Sequence, residues 1–162
     1  PMTLTRVFDE LETLGVGEVM IKGRERILYL EENKKELWNT AKQYMRNPIR
    51  KIHWVTPQSF VAGGGVIAGL SALASYSMLS EPKQKTLAFS YEGWKIRQKE
   101  TEIVEVPFYD EDASRVEVRH YTPGQFAKSD IVDRFSLYMS LKDEKIERVQ
   151  LALDEMMGDI KW

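Results

Sequence analysis

The apolar positions change their spacing several times along the chain, and each change marks an element. Between Met2 and Leu14, the residues Leu4, Val7, Phe8, Leu11 and Leu14 recur three or four positions apart, which places them on one stripe of an amphipathic helix. Thr3, Thr5, Arg6, Asp9, Glu10 and Glu12 take the other face, and Gly15 and Gly17 close the element. Two β-prone runs then lie within Glu18 to Leu30 around a polar turn at Lys22 to Glu25, the pattern of a hairpin. A helix is expected over Glu31 to Arg46, with Leu37, Trp38, Ala41, Tyr44 and Met45 on one side, until Asn47-Pro48 stops it. Ile49 to Val55 alternates as a strand and breaks at Thr56-Pro57.

The most apolar run is Phe60 to Leu79. It predicts a loop closing on Gly63-Gly64-Gly65 and then a buried helix from Val66 to Met78, whose small Ala, Gly and Ser residues let it lie close against a sheet. Lys85 to Tyr91 reads as a strand, and Glu92 to Lys99 as a short helix or loop. Glu102 to Tyr109 and Ser114 to Tyr121 alternate charged and apolar residues, which predicts two strands joined through Asp110-Glu111-Asp112, one face buried and one solvated. A short helical segment over Ile131 to Leu141 and a helix over Asp143 to Met157 complete the chain. Ile146, Val149, Leu153 and Met156 form the stripe of the last helix, Asp143 and Glu144 suit the dipole at its start, and Gly158 ends it, leaving Ile160 and Trp162 to pack on the core.

The pattern implies an α+β protein with a mixed or antiparallel sheet and a buried Gly/Ala-rich helix. Its parts are a helix and hairpin over 1–32, a connecting helix and strand over 33–56, and an α+β domain over 57–162. A hydrophobic share of 43% beside 30% charged residues is that of a folded globular chain. Charge adds a mild asymmetry: residues 1–56 hold ten Lys and Arg against eight Asp and Glu, and residues 57–162 hold thirteen against seventeen. That sign suits an N-terminal part that meets nucleic acid. No segment reads as a signal peptide, and the run at 60–79 is too short and too glycine-rich for a membrane span, so a cytoplasmic protein is expected.

The residue types narrow the chemistry. There is no Cys, so disulfides, thiolate metal sites and thiol nucleophiles are excluded. With His53 and His120 as the two histidines, a metal site would rest on carboxylates, and neither metal nor other cofactor is expected. A glycine turn, small-residue helix and strand also open the nucleotidyltransferase fold, in which that strand carries two metal-binding aspartates. Here the strand offers Leu87, Ala88, Phe89, Ser90 and Tyr91, so an active enzyme of that class is not expected, and Gly63 to Gly65 lacks the Gly-Lys-Ser/Thr of a phosphate loop. The cluster of Glu100, Glu102, Glu105, Asp110, Glu111 and Asp112 reads as a solvated hairpin, with docking of a protein partner as a further reading.

A helix with a small polar face followed by a hairpin whose tip carries Lys22, Arg24 and Arg26 has the order of a recognition helix and wing. The stretch Met2 to Glu12 with its hairpin is similar to the end of a winged helix-turn-helix of the MarR-like kind. Ala68 to Tyr76, Val116 to Tyr121 and Asp133 to Leu141 resemble the C-terminal domain of AbiE-type antitoxins of type IV toxin-antitoxin systems and related bacterial regulators. That resemblance implies a DNA-binding transcriptional regulator or antitoxin, not an enzyme, with a non-catalytic C-terminal domain. It would place Thr3, Thr5 and Arg6 on the recognition helix and Lys22, Arg24 and Arg26 on the wing. The partners it implies are double-stranded promoter DNA, a cognate toxin and a second copy of the chain. A winged domain has two helices ahead of its recognition helix, and the chain as read from Pro1 does not carry them, so DNA binding is expected of a longer parent protein.

Overall fold

The computed structural model describes residues 2–60, 65–106 and 112–162. Its contacts divide the chain into two compact units, Pro1–Arg46 with Lys161–Trp162, and Asn47–Ile160. The expected strand over 49–55 therefore belongs to the second unit and not to a connecting segment.

The first unit holds helix α1 (Met2–Thr13), strands β1 (Gly17–Lys22) and β2 (Glu25–Leu30), and helix α2 (Lys34–Ala41). α1 stops because Gly15 takes a φ of +70°, which lets the Val16 amide donate back to the Leu11 carbonyl and the Gly15 amide to that of Glu12. These two bonds satisfy carbonyls that the helix would otherwise leave open. β1 and β2 pair antiparallel from Gly17 opposite Leu30 to Lys22 opposite Glu25, and Gly23 at φ +65° supplies the first position of the two-residue loop. α2 is shorter than its apolar pattern predicts. It begins at an Asn33 cap whose Oδ1 accepts from the amides of Lys35 and Glu36 at 3.1 and 3.3 Å, and it ends at Ala41.

The second unit is a four-stranded mixed sheet with helices on both faces. Its strands are β3 (Ile49–Val55), β4 (Val66–Ile67), β5 (Thr86–Ser90) and β6 (Ser114–Arg119), in the order β3-β6-β5-β4. β5 and β6 run parallel, joined through α4 (Tyr91–Glu100), and the other two pairings are antiparallel. α4 is a full helix, capped by the Ser90 hydroxyl on the Gly93 amide at 3.0 Å. One sheet face packs Val55, Phe89, Val116 and Val118 against Trp94 of α4. The other packs Val66 and Ala88 against α3 (Gly69–Tyr76), α5 (Arg134–Leu141) and α6 (Glu147–Gly158), with Ala72, Leu73, Leu137, Leu141, Leu153 and Met156 at its centre.

Three expectations are corrected here. The helix expected from Val66 begins at Gly69, because β-branched Val66 and Ile67 are drawn into the edge pairing with Ala88 and Leu87. Gly69 then turns the chain at φ +54°, at a place where a Cβ would meet the Thr86 side chain at 2.9 Å. Glu102 to Tyr109 and Ser114 to Tyr121 do not form a hairpin, since both edges of β6 are taken by β3 and β5. Glu105 instead bridges to Val55 on the far side of β3, while Pro107 to Glu111 lie outside the described residues, as do Gly63 and Gly64. Finally, α6 begins at Glu147, so Asp143 and Glu144 precede it in an exposed link whose carbonyls at Lys142 and Glu144 accept from Gln150 Nε2.

Among the described residues no helix is long and apolar enough to cross a membrane. Tyr76, at the end of α3, donates its hydroxyl to the Val132 carbonyl at 3.0 Å. Burial raises its phenol above the ordinary value of 10.0, although the Arg134 guanidinium over the ring opposes the shift. A raised acid favours the protonated fold, so this contribution is complete below the unfolded phenol's pKa and is lost as pH rises through the folded one. Tyr76→Phe should cost about 1 kcal/mol in urea denaturation at neutral pH, and the difference from wild type should shrink on titrating above the ordinary phenol value.

Candidate functional site

The six residues singled out for nucleic-acid binding all fall in the first unit. Thr3, Thr5 and Arg6 are exposed on the first turns of α1, and Arg6 Nε donates to Glu10 Oε1 one turn on, at 3.0 Å. Helix and hairpin are tied together twice: Glu12 Oε1 accepts from the Val19 amide at 2.8 Å, and Asp9 pairs with Arg26. Arg26 therefore points back to the helix, with its Nε buried and its side chain one-third exposed. Lys22 and Arg24, on either side of Gly23, are the exposed cations of the tip, and neither pairs with a carboxylate among the described residues. The apolar stripe of α1 is only partly covered: Phe8, Leu11 and Leu14 are half-buried, whereas Leu4 is 64% and Val7 40% exposed.

No family model matches the chain, and neither a curated protein nor a solved structure matches it.

The densest chemistry in the molecule lies in the second unit, where the pattern predicts a half-solvated strand. β6 is buried along almost its whole length, and Arg115, Glu117 and Arg119 share the face that meets α5. Glu117 is fully buried and Arg119 1% exposed. Glu117 Oε2 accepts from Arg119 Nη2 at 2.9 Å, and its Oε1 lies 3.4 Å from Arg115 Nη2. Arg119 reaches on to α5 and its neighbour: Nη2 donates to Ser140 Oγ and Nη1 to Tyr121 Oη, each at 3.2 Å, and the Tyr121 hydroxyl donates to Ser136 Oγ. Ser136 and Ser140 can both serve because they stand one helical turn apart, and the Ser140 hydroxyl is fixed by donating to the Ser136 carbonyl at 2.7 Å. Small residues make the room, since Ala88 lies beside Glu117 and Ser90 beside Arg119 in the parallel register.

The alternation Arg-Val-Glu-Val-Arg looks like a surface strand because each charge is read as needing water. Here each charge is answered by the residue two positions away, on the same face. What the one-dimensional pattern could have offered is the sign alternation itself, plus, minus, plus at a spacing of two, together with Ser at 136 and 140 on a predicted helix.

A second polar group stands on the opposite face. His53 is buried, its Nδ1 is 2.9 Å from Glu105 Oε1, and its ring lies 5.3 Å from that of Trp94. Ser59 Oγ accepts from the Val104 amide at 2.9 Å, and the Thr56 amide donates to the Val104 carbonyl at 3.0 Å. Together these fasten residues 102–106 to the outer side of β3. Glu105 and Glu117 are thus held by His53 and by the two arginines. Among the described residues no three His, Asp or Glu side chains converge as a metal site would require.

Removing one member of a buried charge network strands the others, whereas removing all of them together does not. Glu117→Gln should destabilise the chain by about 3–5 kcal/mol in urea denaturation. The triple replacement Arg115→Met, Glu117→Leu, Arg119→Met should recover most of that loss; equal losses would show that the ladder acts as packing and not as charge.

Proposed function

We propose that the first unit reads double-stranded DNA and that the chain is part of a bacterial transcriptional regulator or antitoxin whose second unit is a non-catalytic body. In this reading α1 is the recognition helix of a winged helix-turn-helix and β1-β2 its wing. Thr3, Thr5 and Arg6 face base edges, and Lys22 and Arg24 meet backbone phosphates. Arg26 has a different role from the one the resemblance gives it: it sets the angle between helix and wing through Asp9.

The observation that carries the reading is a basic hairpin tip, Lys22-Gly23-Arg24, exposed at the end of a hairpin tied to the preceding helix by Arg26 and Glu12. Exposed cations free of carboxylate partners release counterions when they meet phosphate, which gives the binding its dependence on salt. The nucleotidyltransferase-like and protein-docking readings have less behind them. The first lacks a carboxylate on β5, and the second rests on an acidic turn of which only Asp112 is described.

Fluorescence anisotropy with a mixed-sequence duplex, across a series of salt concentrations, tests the proposal on the full-length protein. Lys22→Ala and Arg24→Ala should each reduce the slope of log K against log salt by about one unit, while Lys34→Ala, on α2, should leave it unchanged. Identical slopes for all three variants and the wild type would remove the wing from the account.

A further inference from the structure

The ladder on β6 is not balanced. Two guanidinium groups share one carboxylate in a region where Glu117 and Arg119 are out of reach of water, so the face carries one positive charge in excess. The Nε atoms of both Arg115 and Arg119 are buried without a hydrogen-bond partner. Glu117 Oε1 is likewise without one, and because Arg119 is paired with Glu117, the excess charge rests on Arg115, whose partly exposed side chain an anion can reach from outside.

A cleft of about 510 Å³ opens at the end of this ladder. Arg115, whose side chain is one-fifth exposed, lines it together with Ser140, the residue that takes Arg119 Nη2 from the other side. Arg50 and Lys51 of β3 also line it. The register between β3 and β6 shifts between Ile49 and Lys51, and the Arg50 guanidinium stacks 4.4 Å over the Tyr91 ring. Asp143 and Glu144 contribute carboxylates to the same cleft, but both are exposed and neither forms an ion pair with Arg115 among the described residues. Solvated carboxylates at a rim are screened and compensate a buried charge poorly. The volume is that of a small-molecule site.

We infer that this cleft binds a small molecule through an oxyanion, phosphate or carboxylate, seated on Arg115 with Lys51 beside it. The buried Arg119 and Glu117 act behind the site: Arg119 takes the Glu117 carboxylate at 2.9 Å, which leaves Arg115, 3.4 Å from the other oxygen, as the guanidinium whose charge is open to a ligand. Asp143 and Glu144 face the other end of the ligand and favour a molecule that carries hydrogen-bond donors there. A planar guanidinium is suited to such a role because it offers two parallel donors to an oxyanion. The site is lined by residues of the second unit alone and is tested without DNA.

Calorimetric titration of the whole chain with inorganic phosphate, and separately with acetate, should show saturable binding of at least one of them. Tighter binding of phosphate assigns a phosphate-bearing ligand, and the reverse a carboxylate. Arg115→Gln should weaken that binding about tenfold or more, with Arg115→Lys recovering part of it. Lys51→Gln, at an exposed position that does not endanger folding, should weaken it about two- to threefold. In the wild type, the Nε–H resonance of Arg115 in a nitrogen-proton correlation spectrum should move along the same saturation curve. Absence of binding by either anion, an unmoved Arg115 resonance at saturation, or unchanged affinity in Lys51→Gln and Arg115→Gln would overturn the inference.

Discussion

The carboxylate of Glu117, fully buried between Arg115 and Arg119, is the constraint on which the second unit turns. Burying charge in mid-sheet is tolerable only if partners arrive from fixed directions, and that requirement shapes the surroundings. β5 must offer small residues alongside, which Ala88 and Ser90 do. α5 must present hydroxyls on successive turns, which Ser136 and Ser140 do. Tyr121, just past the strand, closes the far side. The apolar core of Leu137, Leu141, Leu153 and Met156 then holds α5 and α6 together on the face where the ladder lies. Such a network adds little net stability over apolar packing, but it penalises any other register heavily, because a shift of one residue would turn all three charges to the opposite face.

The two faces of the sheet solve the burial of polar groups differently. On the α5 side one carboxylate is shared by two arginines along one strand. On the α4 side His53 is answered by Glu105, and Trp94 and Phe89 pack about it. The small unit is organised on another scale: Val16 and Trp38 are its buried hydrophobics among the described residues, and its helix and hairpin are held in relation by polar ties, Arg26 to Asp9 and Glu12 to the Val19 amide. A unit of this size cannot rely on a large core. The two ties set the relation of helix to hairpin directly.

Much of the local structure follows from the chain alone. Periodicity three to four between Leu4 and Leu14, closed by Gly15, predicts α1, and two β-prone runs around the polar turn at Lys22 to Glu25 predict the hairpin. The strand at 49–55, the strand at 86–90 and the helices near the C-terminus follow from the same signals, because each depends on neighbours within a few residues. The boundaries that missed did so where a nearby hydrogen-bond group overrode periodicity. Asn33 starts α2 later than its apolar pattern predicts, and the pairing of Val66 and Ile67 with β5 delays α3.

Sequence by itself determined the α+β class, the basic hairpin tip and the absence of cysteine chemistry, since these are properties of residues and short windows. Only the tertiary structure decided that β6 is an interior strand. Alternation of charge and valine is compatible both with a solvated face and with a buried one whose charges pair along the strand, and the two differ in what surrounds the strand: water, or β3, β5 and α5. It likewise decided that Arg26 braces the hairpin against the helix and does not extend its tip, because Asp9, seventeen positions earlier, comes within reach only once the chain has folded back at Gly15.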